Sequence, residues 1–440
     1  MTPNKWRSPA EAAALLRPRD SLGIPLATGQ PTALLHALGE RRDFERLQVF
    51  AALLTELFPL FAQPGVRLLS GFHGPVERGL AAAGHDVHFV PSDFRRFTHI
   101  LRRLAPRAMA TLVAPPDREG FMSLSLHAGA CVPELHACGA DPERLLIAEV
   151  NPAAPRTLGL PPAHRHALHV DEVDVMIESE RPLFTLPNSE PSPIERAIAA
   201  HALRYIPSGA TLQTGIGGVP NEIAELLAKG SGGDYGIHSE MLTDGLMQLD
   251  LAGKISNRKG QHDGYSVVTF AAGSRELYDW LHENPSVRFL PIEEVNTPSI
   301  ISRNRQMVSI NGALSVDLLG QIAADMLPGR QFSGIGGHED FCAGAALAPG
   351  GHSLVCLPST AGGPEGALSR IVPALPAGLA VTTPRHEVDV VITEHGSAEL
   401  AGRTVEERAA ALIGIADPSF RDALRGEWER AQSAPAGAEA

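Results

Sequence analysis

Residues 210–227 read ATLQTGIGGVPNEIAELL, and the prediction of the fold starts from this stretch. A short apolar run ends in glycines at 215, 217 and 218, and the residues after them place Ile223 and Leu227 at helical spacing. Pro220 is compatible with a first helical turn, where the missing N–H matters little. The stretch therefore predicts a strand, a glycine-rich turn and an amphipathic helix.

The same order of elements is found near the N-terminus. Residues 21–27, SLGIPLA, predict a strand, and leucines 34, 35 and 38 after the turn at 28–31 predict a helix, which suggests an internal duplication. Apolar strands are also predicted at 110–113, 145–150, 354–357, 379–383 and 388–393, and a helix at 405–415. Strands and helices that alternate in both halves indicate an α/β protein with two tandem open α/β domains and mostly parallel sheets.

A proline-rich stretch separates the two halves. Residues 181–193 contain four prolines and little periodicity, as interdomain linkers do. We therefore expect an N-terminal domain at residues 1–187 and a C-terminal domain at 188–432. The small residues of 433–440 predict a flexible tail.

Composition limits the partners and the compartment. The 440 residues include 37 Lys and Arg against 50 Asp and Glu, a net charge of −13 that argues against nucleic acid as a partner. The most apolar segment, 49–61, is too short to span a membrane and is interpreted as a buried helix. The four cysteines form no CxxC pair and no signal peptide is evident, which favours the cytoplasm. A large α/β protein of this kind is expected to form a homodimer or a higher homo-oligomer.

The ends of the predicted strands are the expected ligand sites, because open α/β sheets bind ligands there. The Gly215–Gly218 turn can offer backbone N–H groups to an anion, and the glycines of 333–341 can bring bare backbone against a reacting carbonyl. Residues 235–245, YGIHSEMLTDG, present one carboxylate, Glu240, at a predicted strand end. We interpret Glu240 as a covalent nucleophile that is ionised at neutral pH.

These segments together resemble the acetyl-CoA hydrolase/transferase family, which includes class I CoA-transferases of the acetate, 4-hydroxybutyrate and succinate types. The similarity runs in chain order through 212–220, 236–241, 309–321 and 333–341, continues at 358–360, 369–373 and 391–396, and is weaker at 115–120 and 148–151. The resemblance implies two domains of the NagB/RpiA/CoA-transferase type with the active site between them. It also implies that coenzyme A is a substrate and that no cofactor or metal is permanently bound.

The resemblance further implies roles for single residues. The family's matching Glu, here Glu240, attacks an acyl-CoA thioester to give an acyl-glutamyl anhydride and then a glutamyl-CoA thioester. The oxyanion-stabilising positions fall on Asn311 and on the backbone of Gly336 and Gly337. The positions expected to contact CoA or the carboxylate substrate are Gln213, Gly215, Gly217, Gly218 and Arg370.

The expected activity is transfer of CoA between a short-chain acyl-CoA, such as acetyl-CoA, and a small carboxylate. Acyl-CoA hydrolysis by the same Glu is the alternative. His338 and Glu339 stand where many relatives carry a smaller or uncharged residue, so they bear on entry of the acyl group. His238 is expected to support the site by packing or hydrogen bonding on the strand face opposite Glu240.

Three other interpretations are weaker. His164, His166 and His169 suggest a metal site, but a solvated turn explains them better. A nicotinamide-dependent oxidoreductase would need a third, correctly spaced glycine after Gly215 and Gly217. A non-catalytic effector sensor of the same fold would need a DNA-binding appendage, and no basic N-terminal segment suits one.

Overall fold

The computed structural model describes residues 5–187, 190–363 and 366–433. Helices and strands alternate along most of this length. The strands of the first half are β1 (Trp6–Arg7), β2 (Arg19–Gly23), β3 (Arg46–Ala51), β4 (Val66–Ser70), β5 (Val87–Phe89), β6 (Ala108–Val113), β7 (Phe121–Ser123), β8 (Leu145–Val150), β9 (Ala167–His169) and β10 (Val175–Glu178). The helices of the first half are α1 (Pro9–Ala13), α2 (Thr32–Glu40), α3 (Pro75–Ala82), α4 (Phe97–Leu104) and α5 (Val132–Gly139).

The second half has more strands, several of them very short. They are β11 (Thr211–Thr214), β12 (Gly236–Leu242), β13 (Ser266–Ala271), β14 (Val287–Phe289), β15 (Met307–Gly312), β16 (Ser315–Asp317), β17 (Ile322–Ala323), β18 (Met326–Leu327), β19 (Arg330–Gln331), β20 (His352–Cys356), β21 (Thr360–Gly363), β22 (Gly366–Ser369), β23 (Ile371–Val372), β24 (Val390–Thr393) and β25 (Gly396–Glu399). The helices are α6 (Pro193–Ala202), α7 (Gly218–Lys229), α8 (Asp244–Leu251), α9 (Arg275–Leu281), α10 (Ile292–Val295), α11 (Pro298–Ile301), α12 (His338–Leu347), α13 (Val405–Ile415) and α14 (Arg421–Ser433). Short 3-10 turns lie at Ala27–Gly29, Pro59–Ala62, Phe94–Arg96, Leu203–Tyr205 and Pro418–Phe420.

Each half builds one eight-stranded sheet. The strand orders are β5-β4-β3-β2-β6-β8-β10-β1 and β14-β13-β12-β11-β15-β20-β24-β25. If β2 and β11 are each numbered 1 and the later strands of each large sheet are numbered in chain order, both sheets read 4-3-2-1-5-6-7. Only the eighth strand differs: it is β1 in the first sheet and β25 in the second. Among the described residues, neighbouring strands of both sheets pair in parallel except β24 and β25. The predicted α/β class with mostly parallel sheets is confirmed, and the shared strand order supports an internal duplication.

The two halves pack against each other through a common apolar core. One cluster of buried side chains contains Phe94 and Leu135 of the first half together with Phe270 and Leu277 of the second. The Ala128 N–H donates to Thr269 O across the contact at 2.7 Å. The exact boundary at 187/188 stays a prediction, since Asn188 and Ser189 lie outside the described residues. Helix α14 continues to Ser433, and the rest of the predicted tail, 434–440, also lies outside them.

Several predicted elements are confirmed almost to the residue. Strand β8 coincides with the prediction at 145–150, and α13 with that at 405–415. Helix α13 begins where Thr404 and Glu407 form a capping box, which satisfies N–H groups that the first turn leaves free. None of the helices in the described ranges combines the length and apolar character needed to cross a membrane.

Two predicted elements are wrong. Residues 49–61 do not form a buried helix: they begin in β3, a strand paired on both sides, and end in a 3-10 turn. A fully buried strand and a buried helix show the same unbroken apolar run, so periodicity could not separate them. Residues 379–383 form no strand: they make an isolated bridge from Thr383 to Ile322, which belongs to the small three-stranded sheet of β16, β17 and β23.

Candidate active site

Glu240 lies on β12, two residues before the strand ends at Leu242. It therefore stands close to the strand end, where the sequence predicted it. Strand β11 has β12 on one side and β15 on the other. The chain adds strands β12 to β14 on one side of β11 and then returns to add β15 on the other side, so the strand order reverses at β11. Open α/β sheets bind ligands at such a switch point, beside the carboxyl ends of the strands.

The glycines before α12 approach the Glu240 carboxyl closely. The Gly337 backbone lies beside this carboxyl and lowers its pKa. A Cβ added at Gly337 would collide with Glu240 Oε2, and one added at Gly336 would lie 3.5 Å from Oε1. The structure thus brings together three of the predicted catalytic positions, Glu240, Gly336 and Gly337.

The first half of the chain forms the other side of this site. The Phe94 N–H donates to Gly336 O at 3.1 Å. The Arg78 guanidinium stacks over the Phe332 ring at 4.6 Å, and the backbone at Gly334 lies against Phe72. Glu240 is therefore enclosed by residues of both halves.

Asn296 is the polar side chain that contacts Glu240 directly. Its Nδ2 donates to Glu240 Oε2 at 2.7 Å and to Asp340 Oδ2 at 3.1 Å. The residue is fully buried just after α10. The sequence analysis missed Asn296, because nothing in the surrounding EEVNTPS predicts a partner 56 residues away.

The environment of Glu240 raises its pKa to about 8. Burial is the main cause and the nearby Asp340 charge adds to it, whereas the hydrogen bond from Asn296 and the Gly337 backbone act in the opposite direction. With this pKa about a tenth of the population is ionised at pH 7. Burial thus disfavours the ionised form of Glu240 in the unliganded protein, an effect for which the sequence alone gave no measure.

Asn311 and Gln213 pair with each other rather than with Glu240. Asn311 Nδ2 donates to Gln213 Oε1 at 3.3 Å, and Gln213 Nε2 donates to Asn311 Oδ1 at 3.4 Å. Their strands, β15 and β11, put Asn311 two strands away from Glu240. The amide in contact with the carboxyl is that of Asn296, and the oxyanion role expected of Asn311 stays a prediction.

The glycine turn before α7 borders a groove of about 210 Å³ beside the Asn311 strand. The groove is lined by Glu195, Gly215, Ile216, Gly217, Gly218, Val219, Pro220, Ile310, Asn311, Gly312 and Cys356. Gly217 has φ +120°, which favours glycine. The Glu195 carboxylate lies against Gly218, where an added Cβ would collide with it, so the anion beside this helix N-terminus belongs to the chain itself. The predicted contacts of Gly215, Gly217 and Gly218 with CoA stay predictions.

Arg370 lies beyond the β21–β22 hairpin. Burial lowers its pKa, and the charge of Glu394 acts against that effect. Glu394 also accepts hydrogen bonds from the Ser359 N–H at 2.8 Å and from Ser359 Oγ at 2.6 Å. Pro364 and Glu365 of the neighbouring glycine-rich loop lie outside the described residues. The role of Arg370 in binding substrate remains a prediction.

His338 and Glu339 begin helix α12 and contact the segment at 383–387. His338 Nε2 lies 2.9 Å from Thr383 Oγ1, and burial lowers the His338 pKa to about 4. Glu339 lies beside Glu387, and burial followed by that neighbouring acid raises the Glu339 pKa to about 8. Both side chains are thus engaged with the wall formed by 383–387.

His238 does not lie on the opposite face from Glu240, as was expected. It donates from Nε2 to Val295 O at 2.8 Å, next to the Asn296 that binds Glu240. Residues two apart in a strand point to the same face, which is why the expectation was wrong. Burial lowers the pKa of His238 to about 3, so the ring is neutral and supports α10.

The three histidines at 164–169 have separate partners. His166 Nε2 lies 3.0 Å from Ser125 O, His169 Nε2 lies 2.9 Å from Glu119 O, and His164 lies 3.7 Å from Glu294. Within the described ranges, no group of three or more His, Cys, Asp or Glu side chains is placed to hold a metal ion.

Comparison with known proteins gives a consistent result. Residues 273–428 match the family model described as "Acetyl-CoA hydrolase/transferase C-terminal domain". The chain is 37% identical over 422 residues to the succinyl-CoA:cyclohexane-1-carboxylate CoA transferase of Geobacter metallireducens, covering 95% of this chain and 93% of the relative. It is 38% identical over 411 residues to the 4-hydroxybutyrate coenzyme A transferase of Clostridium kluyveri, covering 92% of each. The crystal structure of RipA from Yersinia pestis matches with a TM-score of 0.89 at 32% identity, over 97% of this chain and 98% of that one.

Proposed function

Because this chain belongs to the acetyl-CoA hydrolase/transferase family, we propose that it transfers CoA between a short-chain acyl-CoA, such as acetyl-CoA, and a carboxylate, with Glu240 as the nucleophile. The observation that carries the proposal is the Glu240 carboxyl held by the Asn296 amide against the Gly337 backbone, where the two halves meet. This arrangement supports the proposed role, because the carboxyl lies beside hydrogen-bond donors in a largely enclosed site.

The first half of the reaction moves CoA onto the enzyme. A Glu240 carboxylate oxygen bonds to the thioester carbonyl carbon, the carbon–sulfur bond breaks, and CoA leaves as a thiolate. The thiolate then attacks the glutamyl carbonyl of the anhydride and releases the original acyl group as a free carboxylate. A glutamyl-CoA thioester remains on the chain.

The second half repeats these steps in reverse order with another carboxylate. That carboxylate attacks the glutamyl thioester and expels CoA, and the CoA thiolate then attacks the new acyl carbonyl and frees Glu240. Each attack builds negative charge on a carbonyl oxygen, which donors such as the Asn296 amide and the glycine backbone would stabilise. No net hydrolysis, oxidant or reductant is required.

The proposal also covers substrate binding, cellular location and oligomeric state. Gln213, Gly215, Gly217, Gly218 and Arg370 are proposed to contact CoA or the carboxylate, and CoA acts as a substrate rather than a resident cofactor. We place the enzyme in the cytoplasm, which the four free, buried cysteines support. A homodimer or higher homo-oligomer is proposed on general grounds for large α/β enzymes.

The pH dependence should report the raised pKa of Glu240. Because the protonated carboxyl is not nucleophilic, we expect kcat/KM to rise about tenfold per pH unit below pH 7 and to level off above a midpoint near pH 8. The measurement is initial rates of CoA transfer from pH 6 to 9, corrected for the uncatalysed loss of thioester. A flat kcat/KM over this range would contradict a nucleophile in the environment described.

Hydrolysis is the second candidate, since the matching family description includes acetyl-CoA hydrolases. Transferase and hydrolase chemistry share the anhydride and differ in whether water reaches it. The test incubates the protein with acetyl-CoA and a panel of short carboxylates, while free thiol and new thioester are followed together.

The proposed transferase should form new acyl-CoA with little free thiol and should depend on the acceptor carboxylate. Thiol release at the same rate without any acceptor would favour the hydrolase. Neither new thioester nor thiol with any member of the panel would overturn both.

A further inference from the structure

We propose that Arg95 and Asp340 are positioning residues for Glu240: they form an ion pair across the two halves that orients the Asn296 amide with its N–H groups toward the nucleophile. This inference rests on the proposed function, because the group being positioned is the proposed nucleophile.

The ion pair joins the two halves of the chain. The Arg95 Nη1 is bonded to Asp340 Oδ1, and the Arg95 backbone N–H donates to Asp340 Oδ2 at 3.2 Å. The second guanidinium nitrogen, Nη2, lies 2.9 Å from Asp93 Oδ2. The Asp340 side chain has no exposed surface, whereas Arg95 is about one-third exposed, at 31%. A loop of the first half thus holds a buried carboxylate of helix α12.

Asp340 accepts from the same amide nitrogen that binds Glu240. Asn296 Nδ2 lies 3.1 Å from Asp340 Oδ2 and 2.7 Å from Glu240 Oε2. An ionised carboxylate has only hydrogen-bond acceptors, so it pairs with the nitrogen end of the amide, which carries the donors. The opposite amide orientation would set Asn296 Oδ1 against a negative charge.

The oxygen end of Asn296 does not fix the amide. Asn296 Oδ1 is buried and has no hydrogen-bond partner among the described residues. The amide orientation is therefore decided on the nitrogen side, where one of the two acceptors, Glu240, changes protonation and acylation state during the proposed reaction. Asp340 is the constant acceptor.

Arg95 keeps Asp340 in its ionised form. Burial raises the pKa of Asp340 to about 6, and the Arg95 charge is the largest influence that lowers it. Without that cation the Asp340 carboxyl would gain a proton more readily and could then donate, which removes the preference for the nitrogen end. The titratable groups facing this network are Asp93 and Arg95 from the first half, Asp340 from α12, and Glu240 from β12.

The test measures transfer kinetics of Asp340→Asn and Arg95→Met from pH 6 to 9. Asp340→Asn replaces one carboxylate oxygen with an amide nitrogen. That nitrogen is a donor and faces the donor of either Arg95 or Asn296, so one contact of the network is lost. We expect kcat to fall about 100-fold in Asp340→Asn, with the KM for acyl-CoA changed less than about threefold, as for a misplaced catalytic group. The midpoint of the pH profile should move to lower pH, because the charge beside Glu240 is gone.

Arg95→Met provides the second variant, at a partly exposed position that tolerates change. We expect kcat to fall at least about tenfold, and Arg95→Lys to recover most of the loss because it restores the charge. Asp279→Asn removes an acid from an exposed Arg–Asp pair on α9 and is expected to behave as wild type.

Wild-type kcat and an unmoved pH midpoint in both variants would overturn the inference, as would a lower kcat with no shift of the midpoint in Asp340→Asn. Glu240→Ala is measured alongside them. If it is inactive while Asp340→Asn and Arg95→Met behave as wild type, only the positioning role fails. If Glu240→Ala is active, the proposed function itself fails.

Discussion

Glu240→Ala is expected to lower the rate of CoA transfer by about 10⁴-fold or more, because a covalent route cannot proceed without its nucleophile. The rate is measured as new acyl-CoA formed from acetyl-CoA and an acceptor carboxylate. Glu225→Ala is the matched control, since this carboxylate is exposed on α7 and pairs with Lys229 one turn away. Its removal should leave the transfer rate within about twofold of wild type.

A chemical trap identifies the same residue independently. Borohydride added during turnover should reduce the glutamyl-CoA thioester to an alcohol on the peptide that contains Glu240. This alcohol-bearing peptide should be absent from Glu240→Ala and present in Glu225→Ala. Near-normal transfer by Glu240→Ala, or an unlabelled wild-type peptide under conditions that label a known transferase, would refute covalent catalysis by Glu240.

Loss of activity in a Glu240 variant should not come from unfolding. The folded-state pKa of about 8 lies above the ordinary value of 4.5, so the folded protein binds the extra proton between these pH values. The free energy of unfolding therefore falls as pH rises through that window. The isosteric Glu240→Gln carries no such charge, and its melting temperature at pH 8 should equal or exceed that of wild type, with a smaller difference at pH 5.

Gly337→Ala is expected to lower kcat by about 10² to 10³-fold, as removal of a catalytic donor does, while the chain still folds. The new methyl group would occupy the space of Glu240 Oε2 and Asn296 Nδ2. Gly337 has φ −91°, an ordinary value for alanine, so the effect comes from displacement of these two side chains and not from backbone strain. Steady-state kinetics measure the effect, and circular dichroism verifies the fold.

Gly414→Ala is the matched control for that substitution. Gly414 lies inside α13 and nothing stands within 4 Å of an added Cβ. Alanine there should leave kcat unchanged and stabilise the protein by up to about 1 kcal/mol. Full activity in Gly337→Ala would show that the carboxyl does not need this close approach to the glycine backbone.

Local patterns in the sequence predicted much of the fold. Strand β8 and helix α13 are segments whose apolar spacing and caps specify them without help from the rest of the chain. Residues 49–61 were predicted wrongly, since an unbroken apolar run fits both a buried strand and a buried helix. Residues 379–383 were predicted wrongly because their apolar side chains are not all buried: Val381 is 43% exposed. The α/β class with mostly parallel sheets followed from the alternation of predicted strands and helices. The order of the strands within each sheet could be read only from the structure.

The candidate site divides in the same way. Glu240 and the Gly336–Gly337 turn stand in short motifs, and the structure places them in contact. The contacts of Asn296 with Glu240 and of Arg95 with Asp340 join positions 56 and 245 residues apart, and no motif marks Asn296 or Arg95. The raised pKa of Glu240 was equally inaccessible, because it depends on how completely neighbouring segments enclose the carboxyl.

The two halves of the chain, whose sheets share one strand order, contribute different parts of the site. The second copy contributes Glu240, Asn296 and the glycine turn, whereas the first contributes Phe72, Arg78 and Arg95 to the opposite wall. Loops of the first copy other than the turn that carries Arg95 can therefore diverge to admit other acyl groups while the reacting carboxyl stays as it is. Such a duplicated scaffold gives a lineage a way to change substrates without rebuilding its chemistry.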